Sequence, residues 1–104
     1  MKKVIDGKLF DTEKATLIAE YWNGLDYSDF FNITEKLYVT SKGNYFLYGE
    51  GGPMTEYRER CGSNNWSGSA DMFSLTRREA YRWLVKREQT EAIIEHFSDF
   101  IEEA

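Results

Sequence analysis

Few residues in this sequence have the types and spacing for bond-making chemistry. It contains one histidine, His96, and one cysteine, Cys61. Asp99 follows His96 by three positions, so both would share a helix face. Two ligands rarely hold a metal alone. Cys61 and His96 are the residue types of a thiol nucleophile and its base. Nothing next to Cys61 marks an activated thiol, and it reads as a loop thiol. A serine triad would need a strained nucleophile turn such as G-x-S-x-G, and the sequence has none. Gly49-Glu50-Gly51-Gly52-Pro53 invites comparison with a phosphate loop. No Lys-Ser or Lys-Thr follows it, and Glu50 would repel phosphate, so it reads as a strand exit and turn. Asn32-Ile33-Thr34 and Asn65-Trp66-Ser67 fit the glycosylation acceptor pattern, which matters only in a secreted chain. No catalytic residue, metal or cofactor is expected, and hence no enzyme.

The chemistry the residues do support is recognition. The chain of 104 residues has 13 Lys and Arg against 18 Asp and Glu, a net charge of -5. The charge is segregated. Residues 6–35 hold seven acids and two bases, residues 77–88 five bases and two acids, and residues 89–104 five acids and no Lys or Arg. Charge runs are usually solvated faces. Arg77 and Arg78 break a local rule, however, because cations at the first positions of a helix oppose its dipole by roughly 0.3–1 kcal/mol each. Such a violation is a place to look for function. Arg77, Arg78 and Arg82 are therefore candidates for contact with an anionic partner surface or an RNA phosphate. The aromatic share is 16%, and Tyr27, Phe30, Phe31, Tyr57 and Trp66 fall in expected loops. They either cap the core, anchor a protein interface, where Tyr, Trp and Arg are enriched, or stack on unpaired bases.

The elements that must position these residues follow from pattern. Lys2–Phe10 reads as a small β-hairpin around Asp6-Gly7, a pair suited to positive φ. Ala15–Trp22 alternates like a strand, although Asp11-Thr12 before it would also suit a capped helix; the strand is favoured. Lys36–Thr40 and Tyr45–Tyr48 flank Ser41-Lys42-Gly43-Asn44 as a second hairpin. Residues 49–70 form a glycine-rich stretch with a helical turn around Met54–Arg60. Asp71–Leu75 is one more strand. Thr76 to Glu79 is a capping box that opens a helix burying Ala80, Trp83 and Leu84. A second helix is expected from Thr90 to Glu103, with Ile93, Ile94, Phe97, Phe100 and Ile101 as its apolar stripe. The expected fold is α+β, an antiparallel sheet of about four to five strands with two C-terminal helices packed on one face.

Length and composition set the frame. The chain suits a single globular domain over 1–104. Its hydrophobic share of 41% is too high for a disordered chain. No apolar run reaches the ~20 residues of a membrane span, and no signal segment opens the chain. One cysteine excludes an internal disulfide framework, and a reducing cytoplasm is the expected location. The acidic balance argues against a general nucleic-acid binder.

Several phrases, taken together, resemble a family of small proteins from mobile elements of Gram-positive bacteria. They are Gly7-Lys8-Leu9-Phe10-Asp11-Thr12-Glu13-Lys14-Ala15-Thr16, Tyr45 through Pro53, Trp66-Ser67-Gly68, and Leu75-Thr76 with Glu79-Ala80 and Trp83-Leu84. The likeness runs to about residue 85. The family includes anti-CRISPR proteins that inhibit type II-A Cas9, and the resemblance implies such an inhibitor in a bacterial host cell. Its partner would be Cas9 or the Cas9–guide RNA complex, with the guide RNA itself a second candidate. It would act by stoichiometric binding that interferes with guide-RNA loading or DNA binding. The alternatives are a mobile-element accessory protein that binds another host or element protein, and a small RNA-cutting enzyme. The chain departs from the family pattern at Arg77-Arg78, where acids are usual, and over Arg58 to Cys61. The candidate contact residues come from this sequence alone. They are the acids Asp26, Asp29, Glu35 and Glu50, the aromatics Tyr27, Phe30 and Trp66, and the bases Arg58, Arg60, Arg77, Arg78 and Arg82.

Overall fold

The structure, a computed structural model, describes residues 1–26, 28–52, 59–61, 65–67 and 69–104, with the backbone alone for 59–61, 65–67 and 69. The first two strands, β1 (Lys2–Ile5) and β2 (Lys8–Asp11), pair antiparallel as a hairpin. Asp6 and Gly7 take φ of 50° and 77° at its turn. That double positive φ matches the right-handed twist of the flanking strands.

A four-stranded antiparallel sheet follows, built from β3 (Thr16–Trp22), β4 (Ile33–Val39), β5 (Tyr45–Gly51) and β8 (Ser69–Leu75), in that spatial order. Between β5 and β8 the chain forms a short antiparallel pair, β6 (Glu59–Cys61) and β7 (Asn65–Ser67). Helices α1 (Arg77–Lys86) and α2 (Thr90–His96) end the chain, followed by a 3-10 turn over Ser98–Phe100. The protein is α+β. No helix among the described residues is long and apolar enough to cross a membrane.

The sheet is the middle of three layers. Successive strand residues point to opposite faces. Ala19, Leu37 and Leu47 meet Ala80, Trp83, Leu84 and Phe97 of the helical layer. Their neighbours Tyr38 and Phe46, with Met72, point the other way and pack on Phe10 of the first hairpin. Each buried Leu, Phe or Met among them contributes about 1.5–3 kcal/mol. Lys3 of β1 donates to Asp71 of β8, which ties the hairpin to the sheet's edge.

Three expectations change. β5 runs through Gly49 to Gly51, paired with both neighbours, where a strand exit was expected. Of the helical turn expected over Met54–Arg60, the last two residues are in β6, and residues 53–58 lie outside the described residues. The second helix stops at His96 instead of continuing to Glu103. In an unbroken helix Asp99 would point about 200° away from Phe97. The break at Phe97, φ -134° and ψ 30°, lets Phe97, Asp99 and Phe100 all reach α1.

The capping box is present as read. Glu79 N–H donates to Thr76 Oγ1 at 3.1 Å, and Thr76 N–H to Glu79 Oε1 at 2.8 Å. The helix ends in a Schellman arrangement, with Glu88 N–H donating to the Val85 carbonyl and Gln89 N–H to the Leu84 carbonyl. Glu88 holds the left-handed position at φ 56°.

Candidate functional site

The 23–32 connection between β3 and β4 is long, yet its own polar groups hold it. The Asn23 side chain clasps both ends: its Nδ2 donates to the Phe31 carbonyl at 2.8 Å, and its Oδ1 accepts from Ile33 N–H at 3.2 Å. Trp22 Nε1 donates to the Leu25 carbonyl at 2.7 Å. Asp29 Oδ1 accepts from Phe31 N–H at 2.8 Å, an Asx turn. Asn32 is buried, and its Nδ2 donates to the Asp26 carbonyl at 3.0 Å. Gly52, just past β5, donates to the Asn32 carbonyl at 3.0 Å. A Cβ there would stand 2.6 Å from the Phe30 carbonyl oxygen, so only glycine lets the loop lie this close.

This scaffold turns apolar side chains outward. Trp22 is 58% exposed, Phe30 64% and Phe31 55%, with Leu25 beside them. Exposed apolar side chains clustered in one short segment, rather than scattered, mark an interaction surface. Trp22 lines a cleft of about 400 Å³ with Glu20, Leu25, Asp26, Asn32 and Thr34. Strand register extends the surface across the sheet. Trp22 lies opposite Thr34, and Thr34 opposite Glu50, which puts Trp22 and Glu50 about 10 Å apart on one face. Glu50 Oε2 accepts a bond from the Tyr48 hydroxyl at 3.0 Å.

Of the expected contact residues, Asp26, Asp29, Phe30 and Glu50 thus gather at one end of the sheet. Trp22 and Leu25 belong with them and were not singled out from sequence. The signal was there: in β3, Ala19 and Tyr21 have the parity of the helix-covered face, and Trp22 shares parity with the exposed Glu20. A tryptophan on the wet parity of a strand is the clue.

Glu35 is a correction. It lies on the opposite face, 3% exposed, beneath α1. Its Oε1 accepts from Trp83 Nε1 at 2.9 Å and from Arg87 Nε and Nη2 at 2.9 and 2.7 Å. The Arg87 guanidinium also covers the Tyr21 ring at 3.9 Å. Strand alternation explains the placement, because Glu35 shares a face with Leu37. It is an internal tie and not a partner-facing acid.

Arg77 stays exposed but has a partner within the chain. Its guanidinium forks onto Asp99, Nη1 to Oδ2 at 2.6 Å and Nη2 to Oδ1 at 2.7 Å, and Nη2 also donates to the His96 carbonyl. It lies over the rings of Phe97 and Phe100, 4.9 and 4.8 Å from their centres. Its hydrogen bond holds the Asp99 carboxyl below the usual carboxylate range. The unfavourable dipole position is offset by a partner remote in sequence. Arg78 and Arg82 stay exposed on one flank of α1. The start of α1 follows β8 at the Tyr45 end of the sheet, about 20 Å along the strands from the 23–32 loop. Arg77 and Arg78, at that start, therefore do not form one site with the acid–aromatic cluster. Arg60 and Trp66 are cross-strand partners in the β6–β7 pair. Tyr27 and Arg58 lie outside the described residues.

Among the described residues, no three His, Cys, Asp or Glu side chains converge as metal ligands. His96 sits 3.7 Å from Glu95, on the surface of α2. No protein-family model, no curated protein and no solved structure matches the chain.

Proposed function

We propose that the protein is a stoichiometric binding inhibitor of type II-A Cas9, as its resemblance to the mobile-element family suggests. One observation supports this most: Trp22, Leu25, Phe30 and Phe31 stand exposed among Asp26, Asp29, Glu20 and Glu50 at one end of the sheet. Aromatic anchors inside an acidic rim suit a basic protein surface. Cas9 holds its heteroduplex in a positively charged channel. An acidic protein is steered to such a surface by complementary potential, and its aromatics supply the buried contact once there. Action by occupancy, without turnover, follows from this kind of surface. The blocked step is guide-RNA loading or DNA binding.

The test is a Cas9 DNA-cleavage assay with the protein added before or after guide RNA, at stoichiometric amounts. Inhibition only on prior addition assigns the block to guide loading, and inhibition in both orders assigns it to DNA binding. Guide RNA shortened on a gel would point to an RNA-cutting enzyme. No effect on several Cas9 orthologues would overturn the reading and favour an accessory protein with another basic partner.

A further inference from the structure

At the other end of the sheet the lining of one groove carries the opposite charge. A groove of about 440 Å³ opens between β2, the turn over residues 11–15 and the β4–β5 connection. Lys8, Lys14 and Lys42 line it, with Ser41 and Asn44 as neutral polar groups. The volume lies within the range of small-molecule pockets. We infer that this groove binds a phosphate ester group, carried either by a nucleotide or by the backbone of an RNA strand.

Charge is the first argument. In a chain with an excess of acids, basic side chains are expected to find carboxylates. Lys3, Lys36, Arg77 and Arg87 do so. Among the described residues, Lys2, Lys8, Lys14, Lys42, Arg78, Arg82 and Lys86 form no ion pair, and of these Lys8, Lys14 and Lys42 converge on one groove. Asp11 is the single acid in the lining. Three ammonium groups against one carboxylate leave the groove a net two positive charges, matched to a phosphate monoester of about −1.5 to −2.

Preorganisation is the second. The Asp11 carboxylate is buried and directed into its own turn, where Oδ1 accepts from Glu13 N–H at 2.9 Å. The Asp11 carbonyl accepts from Lys14 and Ala15 N–H at 3.2 and 3.1 Å. Across the groove, Thr40 closes the hairpin link: its N–H donates to the Asn44 carbonyl at 2.8 Å, and its Oγ1 accepts from Asn44 N–H at 3.1 Å. Lys14 and Lys42 therefore rise from turns already held in place, which lowers the ordering cost of binding. Leu9, also in the lining, is 57% exposed. It offers an apolar wall for the base or sugar attached to the phosphate.

The experiment is an NMR titration of the 15N-labelled full chain with uridine 5′-monophosphate, with uridine, and with an oligouridylate bearing no terminal phosphate. Saturable shifts at Lys8, Lys14, Ser41, Lys42 and Asn44 with the monophosphate, and none with uridine, identify a phosphate monoester site. The same shifts with the oligouridylate alone identify backbone phosphates as the source. In either case Lys14→Glu with Lys42→Glu should weaken binding at least roughly tenfold, since hydrogen bonds from an ammonium to a phosphate oxygen are about twice as strong as neutral ones. An unchanged melting temperature separates this effect from misfolding, and Lys14→Arg should retain binding. No saturable shift with any probe, shifts spread equally over Lys2, Lys3, Lys36 and Lys86, or unchanged binding by the doubly reversed variant would overturn the inference.

Discussion

Glu35 and Arg87 lie 52 residues apart in sequence and share two hydrogen bonds at one carboxylate oxygen, which also accepts the Trp83 indole. The pair joins the middle of the sheet to the end of α1 in a nearly dry setting. Removing one member of such a pair strands the other charge. Glu35→Ala is expected to lower stability by about 3–5 kcal/mol, and Glu35→Leu combined with Arg87→Met by much less. Urea denaturation of the three chains measures this. Similar losses in the single and double variants would show that the pair is not coupled.

The Arg77–Asp99 fork makes stability depend on pH at the acid end. The Asp99 carboxyl is held below its ordinary value of 3.8, chiefly by the hydrogen bond from Arg77. A depressed folded pKa stabilises above the unfolded value and loses that effect as pH falls through the folded one. The melting-temperature gap between wild type and Asp99→Asn should persist at neutral pH and close only as the pH drops beneath 3.8. Both groups are exposed to solvent, so added salt should narrow the gap at neutral pH.

Glu88 occupies the left-handed position that ends α1, at φ 56°. A side chain there costs roughly 1–2 kcal/mol, partly offset by the greater freedom glycine has in the unfolded chain. Glu88→Gly should therefore raise stability by about 0.5–1 kcal/mol. Thermal unfolding tests this, and a lower melting temperature would show that Glu88 makes a compensating contact.

Gly52 is the point where the end of β5 meets the 23–32 loop. Alanine there would press a methyl group against the carbonyls of Asp29 and Phe30 at 2.7 and 2.6 Å. Gly52→Ala should cost about 1–3 kcal/mol through overpacking. It should also displace the loop and weaken partner binding beyond what stability explains. Chemical-shift changes confined to residues 23–32 would report the displacement.

The proposed interface separates anchors from steering charges. Phe30→Ala should leave the fold intact, because the ring is 64% exposed. It should weaken Cas9 binding by about 1–2 kcal/mol, mainly through faster dissociation. Asp26→Lys with Asp29→Lys should instead slow association and reduce its dependence on salt. Surface plasmon resonance at two ionic strengths distinguishes these signatures. Unchanged kinetics in both variants would place the interface elsewhere.

Local rules made much of this protein legible in its sequence. Asp6-Gly7, Thr76 with Glu79, the alternation of β3 and the apolar face of α1 each act within a few residues, so neighbours alone determine them. Parity likewise marks Trp22 as outward and Glu35 as inward once the covered face is known. Tertiary structure decided the rest. Arg77 looked misplaced on a helix N-terminus because its partner, Asp99, arrives only after the second helix breaks at Phe97. Glu35 looked like a surface acid because its donors, Trp83 and Arg87, are supplied by α1 folding over the sheet. The lysines of one groove come from β2 and from two turns, one of them remote in sequence and joined to the others by no local pattern. Charges act through space, and a sequence orders residues only along the chain, so whether a charge is paired, buried or left free is settled when distant segments pack.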